Sequence, residues 1–184
     1  NITLYNGSSD ANDWEDGDIY HVGDYGKIEL QMDWYSMVEI ARKEFHSSNG
    51  KTATVDAAGN FRIVGGGKTF ITARGWDAAG NECFSASYEL FAAGDMSKTR
   101  LQTTTVKMYQ VGWNYDDEGL KVRIPLVDAP DLTYYTMSYR VADSSVWLTC
   151  QLDSTKKELI IQGNYTGKTT LTVDLNGKIF TITV

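Results

Sequence analysis

The sequence predicts an all-β protein made of two small sandwich domains, and three observations lead to that prediction. The 184 residues include 17 glycines and 2 prolines, with abundant Thr, Val and Tyr, which is typical of β-rich chains. Several short segments alternate between apolar and polar residues, and one order of strands and turns occurs in each half of the chain. Antiparallel strands packed as two sandwiches account for all three observations.

Alternation with a period of two identifies the strands. In KIELQMDW, residues 27–34, one face carries the apolar side chains Ile28, Leu30, Met32 and Trp34. The segments LKVRIPL (120–126), VWLTCQL (146–152) and KIFTITV (178–184) alternate in the same way. One apolar face predicts strands that are buried on one side. In residues 36–45, SMVEIARKEF, the spacing permits a short helix or an irregular strand.

The same parity predicts two separate cores. In the first half we expect Ile28, Leu30, Met32, Val55, Phe61, Ile63, Ile71 and Ala73 to be buried. In the second half we expect Val122, Ile124, Leu148, Leu152, Ile161, Leu171, Val173, Phe180 and Ile182. Each set is large enough to form the interior of a small sandwich.

The two halves share an order of features. The segment that begins at Thr52 and the one that begins at Leu148 both run strand, Asp, polar turn, strand, glycine-containing loop, Gly-Lys-Thr and strand. Self-similarity of this length indicates two copies of one structural unit. We therefore predict domains over residues 1–95 and 96–184, joined within Phe91–Lys98.

The pentapeptide DAAGN occurs at residues 56–60 and again at 77–81. An Asp side chain can accept a hydrogen bond from the backbone two residues on, and Gly can adopt the positive φ of a tight hairpin. The second half has DSTKK (153–157) and DLNGK (174–178) where such turns are expected. Because different residues replace it there, we interpret DAAGN as a hairpin turn and not as a repeated binding site.

Residues 47–73 resemble the bacterial immunoglobulin-like group 2 family. The fit rests on Ser47-Ser48, Ala53–Asp56, Gly59 and Thr69–Ala73, with Val22–Asp24 upstream. The second half fits over residues 141–153 and 166–184, with a longer loop between them, and residues 6–20 depart from the family as an acidic insertion. The resemblance implies two tandem immunoglobulin-like β-sandwiches of a bacterial or bacteriophage surface protein, of the kind found in adhesins or beside secreted enzymes.

Motifs for catalysis fail on spacing. GGGKT (65–69) looks like the end of a phosphate-binding loop, but Arg62 stands where that motif requires glycine. The two histidines, His21 and His46, are not spaced with Cys or acids as zinc ligands would be, and we expect His46 in a loop. No Gly-x-Ser-x-Gly elbow occurs. We predict a non-enzyme with no catalytic residue, cofactor or metal.

The acidic stretch SSDANDWEDGDIY (8–20) leaves one question open. It contains Asp10, Asp13, Glu15, Asp16 and Asp18. Clustered carboxylates can bind calcium, but this spacing is not that of an EF-hand, and we favour a solvated acidic loop. Paired carboxylates could also perform glycoside hydrolysis, but nothing in the sequence places them across a cleft.

Charge limits the partners. Residues 1–95 carry 15 acidic and 7 basic residues, a net charge of −8, whereas residues 96–184 carry a net charge of +1. This balance argues against nucleic acid, and no apolar run approaches the ~18 residues of a membrane span, so we predict no membrane insertion. The N-terminal residues lack a signal-peptide pattern, so we expect either that the protein never had a signal peptide or that this is a mature or trimmed chain. We expect Cys83 and Cys150 to be free thiols, with Cys150 buried.

Strand parity points three aromatic side chains outward: Trp147, Trp76 and Phe70, which are the candidate ligand-binding residues. The preferred hypothesis is a non-enzymatic tandem module of an extracellular or cell-surface bacterial protein. It would act in cell adhesion or as a structural spacer, with an unidentified protein or glycan ligand and further domains in the same protein. The alternative is a carbohydrate-binding accessory module of a larger secreted glycan-active enzyme.

Overall fold

The computed structural model describes residues 1–7, 18–108, 121–163 and 167–184. Within these ranges every regular element is a β-strand, which confirms the all-β prediction. The chain divides into two compact units, Asn1–Gly94 and Asp95–Val184.

In its described residues, the first unit has seven strands in two sheets. They are β1 (Ile2–Tyr5), β2 (Tyr25–Gln31), β3 (Arg42–Ser47), β4 (Ala53–Val55), β5 (Asn60–Ile63), β6 (Gly67–Trp76) and β7 (Glu82–Ala92). One sheet has the order β1-β2-β5-β4 and the other the order β3-β6-β7. If the strands are lettered A to G along the chain, the sheets are A-B-E-D and C-F-G. This is the strand order of a constant-type immunoglobulin domain, but β1 runs parallel to β2 and not antiparallel as in that domain.

The second unit has the same order. Its strands are β8 (Arg100–Leu101), β9 (Lys121–Val127), β10 (Met137–Val141), β11 (Leu148–Asp153), β12 (Glu158–Gly163), β13 (Thr170–Leu175) and β14 (Lys178–Thr183). The sheets are β11-β12-β9-β8 and β10-β13-β14. Lettered along the chain they are again D-E-B-A and C-F-G, so both units are immunoglobulin-like sandwiches.

Each unit has its own apolar core, and the predicted core residues lie in it. Of the first set, Ile28, Phe61, Ile63, Ile71 and Ala73 are buried, and Leu30, Met32 and Val55 are partly buried against them. Of the second set, Val122 and Leu152 are partly buried and the other seven residues are buried. The core of the first unit gains Phe84, Tyr88 and Leu90 from β7, whose apolar residues alternate with polar ones.

The two Gly-Lys-Thr segments place their threonines in similar structural roles. The Thr69 hydroxyl is buried, accepts a hydrogen bond from the Asn49 amide at 3.0 Å, and lies 3.0 Å from the Ser47 hydroxyl. Thr169 is also buried, and its hydroxyl accepts a hydrogen bond from the Asp143 amide at 3.2 Å. Each hydroxyl thereby ties a loop to the F strand, so the motif is structural here.

The segment before β8 packs into the second unit. Met96 is 3% exposed and belongs to that core. The Lys178 ammonium donates to the carbonyl oxygens of Met96 and Ser97, both at 3.0 Å. The Asp95 carboxylate accepts from the Ser97 amide and hydroxyl, both at 2.8 Å. A fragment that retains the whole second unit must therefore begin no later than Asp95.

Two sequence expectations, for Trp34 and His46, are corrected, and the alternative left open for residues 36–45 is resolved. Trp34 does not share the buried face of β2, because that strand ends at Gln31 and the Trp34 side chain is 92% exposed. Residues 36–45 form no helix; the chain is irregular up to Ala41 and then enters β3. His46 lies within β3, opposite Thr72 of β6, and not in a loop.

Candidate functional site

The two DAAGN segments are hairpin turns, as predicted. The first joins β4 to β5 and the second joins β6 to β7. The Asp56 amide donates to the Asn60 carbonyl at 2.9 Å, and the Asp77 amide donates to the Asn81 carbonyl at the same distance. Gly59 and Gly80 have φ of 85° and 86°, which favours glycine. Two identical sequences therefore form two nearly identical turns.

Each turn uses its carboxylate internally. Oδ1 of Asp56 accepts from the Asn60 amide at 2.9 Å, while Oδ2 accepts from the Asn60 side chain at 2.8 Å. Asp77 makes the same two contacts with Asn81, at 2.8 and 3.1 Å. The hydrogen bonds from Asn60 hold the pKa of Asp56 below its ordinary value of 3.8, and those from Asn81 do the same for the pKa of Asp77. At neutral pH both carboxylates are therefore ionised and hydrogen-bonded within their own turns. An ionised carboxylate has no proton to donate, so neither residue can act as a general acid.

The turns predict a specific dependence of stability on pH. Both carboxyls have a lowered pKa in the folded protein, so their ionised forms stabilise the fold. This contribution to the free energy of unfolding is complete above the ordinary pKa of 3.8 and is lost as the pH falls through the lowered values. We expect the denaturation midpoint of an Asp56→Ala, Asp77→Ala double variant to vary less with pH below about 5 than that of the unmodified chain. Urea titrations between about pH 2 and 7 measure this. Parallel curves for the two proteins would contradict it.

The aromatic residues proposed as ligand contacts in the first unit both lie on β6. Phe70 is 42% exposed and Trp76 is partly buried. The Arg42 guanidinium lies over the Trp76 ring, with its central carbon 4.0 Å from the ring centroid. The Lys68 ammonium lies 4.9 Å from the centroid of Phe70. A cation therefore already contacts a face of each ring.

Within the first unit, Phe70 and Trp76 do not form one platform. Phe70 and Trp76 are six positions apart on one strand, which separates them by roughly 20 Å along the sheet. Trp147 belongs to the second unit, where it directly precedes β11 and is 51% exposed. A Cβ added at Gly163 would lie 2.4 Å from Leu148 Cδ2 and 3.0 Å from the Trp147 carbonyl oxygen. Glycine at 163 thus lets β12 end closely against the Trp147 backbone.

Sequence reasoning missed the connection between β2 and β3, which we call the B–C tip (residues 33–38). Trp34, Tyr35 and Met37 are 92%, 97% and 100% exposed, and Val38 is 42% exposed. The tip is a turn in which the Ser36 amide donates to the Asp33 carbonyl at 2.9 Å. Four large apolar side chains in one short exposed segment are typical of a contact surface. The spacing of Asp33 and Ser36 is the signal that could have placed a turn there.

A second surface that the sequence did not reveal lies on the outer face of the A-B-E-D sheet in the first unit. Tyr25 of β2 pairs in register with Arg62 of β5, which pairs in turn with Thr54 of β4. These three side chains line a shallow cleft of about 560 Å³, together with Asp56 and Asn60 of the first DAAGN turn. The Tyr25 side chain is 82% exposed. We call this surface the Tyr25 cleft.

The acidic stretch lies almost wholly outside the described residues, which include only Asp18 of its five acids. Elsewhere in the described ranges, no three His, Cys, Asp or Glu side chains are grouped so that they could hold a metal ion. Among the described residues no helix is long and apolar enough to cross a membrane.

The two cysteines are free, and they differ in burial as the alternation predicts. Cys150 is buried in the core of the second unit, and burial raises the pKa of its thiol to about 11. Cys83 is partly buried. At pH 8 only about one Cys150 thiol in a thousand would be a thiolate, which is the reactive form.

We therefore expect one fast and one slow thiol in the folded protein. A thiol-reactive disulfide reagent at pH 8 should modify Cys83 first and Cys150 only after denaturant is added. A Cys83→Ser variant supplies the control, because the fast phase should then be missing. Mass spectrometry without reductant should show both thiols free. An intramolecular disulfide or rapid reaction at Cys150 would contradict the described packing.

Comparison with known proteins identifies similar folds only. No family model matches the chain, and no curated protein is similar enough to match. The D00-D0 domain of intimin matches at 13% identity with a TM-score of 0.41, over 92% of this chain and 95% of that chain. Domains 5-6 of the S-layer protein SbsC match at 18% identity with a TM-score of 0.31, over 91% of each chain. The human desmocollin-1 ectodomain matches at 12% identity with a TM-score of 0.32, over 99% of this chain and 34% of that chain.

Proposed function

We propose that the chain is a non-enzymatic pair of tandem immunoglobulin-like domains from a bacterial surface or secreted protein, acting as a structural spacer or in adhesion. The observation that carries the proposal is the strand order, A-B-E-D and C-F-G, present in both units. The residues that resemble the bacterial group 2 family support the bacterial assignment, and most of them lie at the end of β3, on β4 and the turn that follows it, and on β6 of the first unit.

The use of the carboxylates supports a non-enzymatic role. Asp95, Asp131 and Asp143 each accept hydrogen bonds from the backbone and hydroxyl of a Ser or Thr two residues on. These bonds lower the pKa of all three carboxyls, as Asn60 and Asn81 do in the DAAGN turns. A glycosidase acid needs the opposite shift, toward a raised pKa. These five carboxylates serve as loop caps.

In each unit, a residue that follows the first strand pairs with the last strand, an arrangement that suits a spacer under tension. Tyr20 bridges Ala92 of the last strand in parallel in the first unit, and Thr105 bridges Thr183 in parallel in the second. In the second unit the Val106 amide donates to the Thr183 carbonyl at 2.9 Å, and the Thr183 amide donates to the Thr104 carbonyl at 2.8 Å. Tension along parallel neighbours loads such hydrogen bonds in shear, so they bear it together.

Single-molecule stretching tests the spacer role. We expect two abrupt unfolding steps per chain, each releasing roughly 30 nm of contour, since each unit has about 90 residues at ~3.5 Å per residue. Replacing Val106 by Pro removes the amide that donates to the Thr183 carbonyl. This change should lower the unfolding force of the second unit and leave that of the first unit unchanged. Gradual extension without steps would argue against a load-bearing module.

The alternative, a carbohydrate-binding accessory module, draws its support from Trp147. Its ring is half exposed, and aromatic faces of this kind stack on sugars. A glycan array with Trp147→Ala, Trp76→Ala and Phe70→Ala variants separates the two proposals. Binding that is lost in any of these variants would favour the accessory module, whereas binding to no glycan would favour the spacer.

Localisation and context form part of the same proposal. We expect the full-length precursor to carry an export signal together with further domains or a surface anchor. Sequencing the complete gene and labelling intact cells with an antibody would test this. A precursor that lacks an export signal and is inaccessible on intact cells would contradict it.

A further inference from the structure

The Tyr25 cleft presents one aromatic and one cationic side chain next to each other. Directly opposed residues on antiparallel strands have Cβ atoms about 5 Å apart, so the Tyr25 ring and the Arg62 guanidinium can contact one ligand together. Thr54 continues the same row on the next strand and offers a hydroxyl. The neighbours Phe61 and Ile63 point into the core, which directs Arg62 outward.

Among the described residues, the two cations of this face, Arg62 and Lys27, have no anionic partner. Within the described part of the chain, the Arg62 side chain makes no hydrogen bond or ion pair. Lys27, two residues from Tyr25 on the same face of β2, is likewise exposed and unpaired among the described residues. The nearby acids are engaged: Asp56 in its own turn, and Glu29 with the Asn1 side chain at 3.2 Å. Asp56 and Glu29 remain ionised on this face, but neither pairs with Arg62 or Lys27, so the donors of both cations are free to bind a carboxylate ligand.

The ligand must match both the ring and the cations. A guanidinium binds a planar carboxylate through two parallel hydrogen bonds. An exposed aromatic ring offers an apolar face to the C–H groups of a sugar ring, and the Thr54 hydroxyl can bond a sugar hydroxyl. We propose that the Tyr25 cleft binds carboxylated pyranoses, the units of acidic polysaccharides of the uronic-acid type. The carboxylate lies on Arg62, the sugar ring stacks on Tyr25, and Lys27 contacts the next acidic unit of the chain.

Other anionic ligands fit less well. A nucleic acid would need a broader basic surface than two cations in an acidic unit. A neutral sugar would leave the Arg62 charge unused. The site would supply a ligand for the adhesive role proposed above, but its test does not depend on that role, because soluble oligosaccharides are used with the isolated protein.

The experiment is a titration of the 184-residue chain with soluble oligogalacturonate, in which binding is measured by isothermal calorimetry and by amide NMR. We expect shifts at Tyr25, Lys27, Thr54 and Arg62. Arg62→Gln should weaken binding about tenfold or more, and Arg62→Lys less. Tyr25→Ala should weaken it roughly three- to tenfold, while Tyr25→Phe keeps the ring and should bind normally. All four side chains are exposed, so each variant should melt at nearly the unmodified temperature.

Matched controls lie on the other sheet of the same unit. Arg74→Gln removes an exposed guanidinium that already pairs with Glu82 at 3.5 Å, and Phe70→Ala removes an exposed ring. Neither should change the affinity. The proposal would be overturned by equal binding of neutral oligosaccharides of the same length, by binding of a sulfated polymer that ignores Tyr25→Ala, or by no binding of oligogalacturonate. Loss of binding in the Phe70→Ala control alone would instead support the accessory-module alternative.

Discussion

Ile71→Ala is expected to lower the free energy of unfolding of the first unit by about 2–5 kcal/mol, because it leaves a cavity in a closely packed core. Ile71 is 0% exposed and lies in the middle of β6, paired with Tyr88 of β7 on one side and Ser47 of β3 on the other. For a unit of this size the loss corresponds to a fall in Tm of roughly 10 °C or more. Calorimetry or denaturant unfolding measures it.

The adjacent residue supplies the control for this prediction. Phe70 lies on the same strand but faces outward and is 42% exposed, so Phe70→Ala should cost less than about 1 kcal/mol. Ile124, on β9, is a buried core position of the second unit and is also 0% exposed, so Ile124→Ala should lower the other unfolding transition. Equal losses for Ile71→Ala and Phe70→Ala would mean that the assignment of the inner face of β6 is wrong.

The second large effect is expected at Gly59, compared with Gly80 in the sister turn. Both glycines have the same positive φ, so alanine at either position should cost about 1–2 kcal/mol for the backbone conformation alone. A Cβ at Gly59 would also lie 2.9 Å from the Ile28 carbonyl oxygen and 2.9 Å from Phe45 Cζ. We expect a further cost of roughly 1–3 kcal/mol at Gly59 for this overpacking.

Gly80 isolates the conformational cost, since a Cβ there meets nothing within 4 Å. Denaturant unfolding of the two alanine variants measures the difference directly. Gly59→Ala should be clearly the less stable of the two. If both variants lose the same free energy of unfolding, the first turn does not pack against β2 and β3 as closely as described.

Local sequence patterns predict the core because burial in a half-buried strand follows parity. Parity alone correctly predicted the burial of Ile71 and Ala73. The turn roles of Asp56 and Gly59 were predicted correctly because the chemistry of a tight turn is local. Trp34 shows the limit. The alternation runs on through Asp33, but pairing with β1 ends at Tyr5 and Gln31, and only the partner strand determines where β2 stops.

The surfaces depend on contacts between distant parts of the chain. Tyr25 and Arg62 meet because β2 pairs with β5, a register that no local pattern specifies. Arg42 covers a face of Trp76 because β3 pairs with β6 in the other sheet. Parity could therefore identify Trp76 as outward-facing, but it could not show that a guanidinium already stacks on its ring.

The central claim is that the chain consists of two immunoglobulin-like domains that fold independently. The most direct test is to produce residues 1–94 and 95–184 separately and to record their thermal unfolding and amide NMR spectra. We predict one cooperative transition and a well-dispersed spectrum for each fragment. A fragment 97–184 lacks the buried Met96 and should melt at a lower temperature than 95–184. If either 1–94 or 95–184 fails to unfold cooperatively, the two-domain account is contradicted.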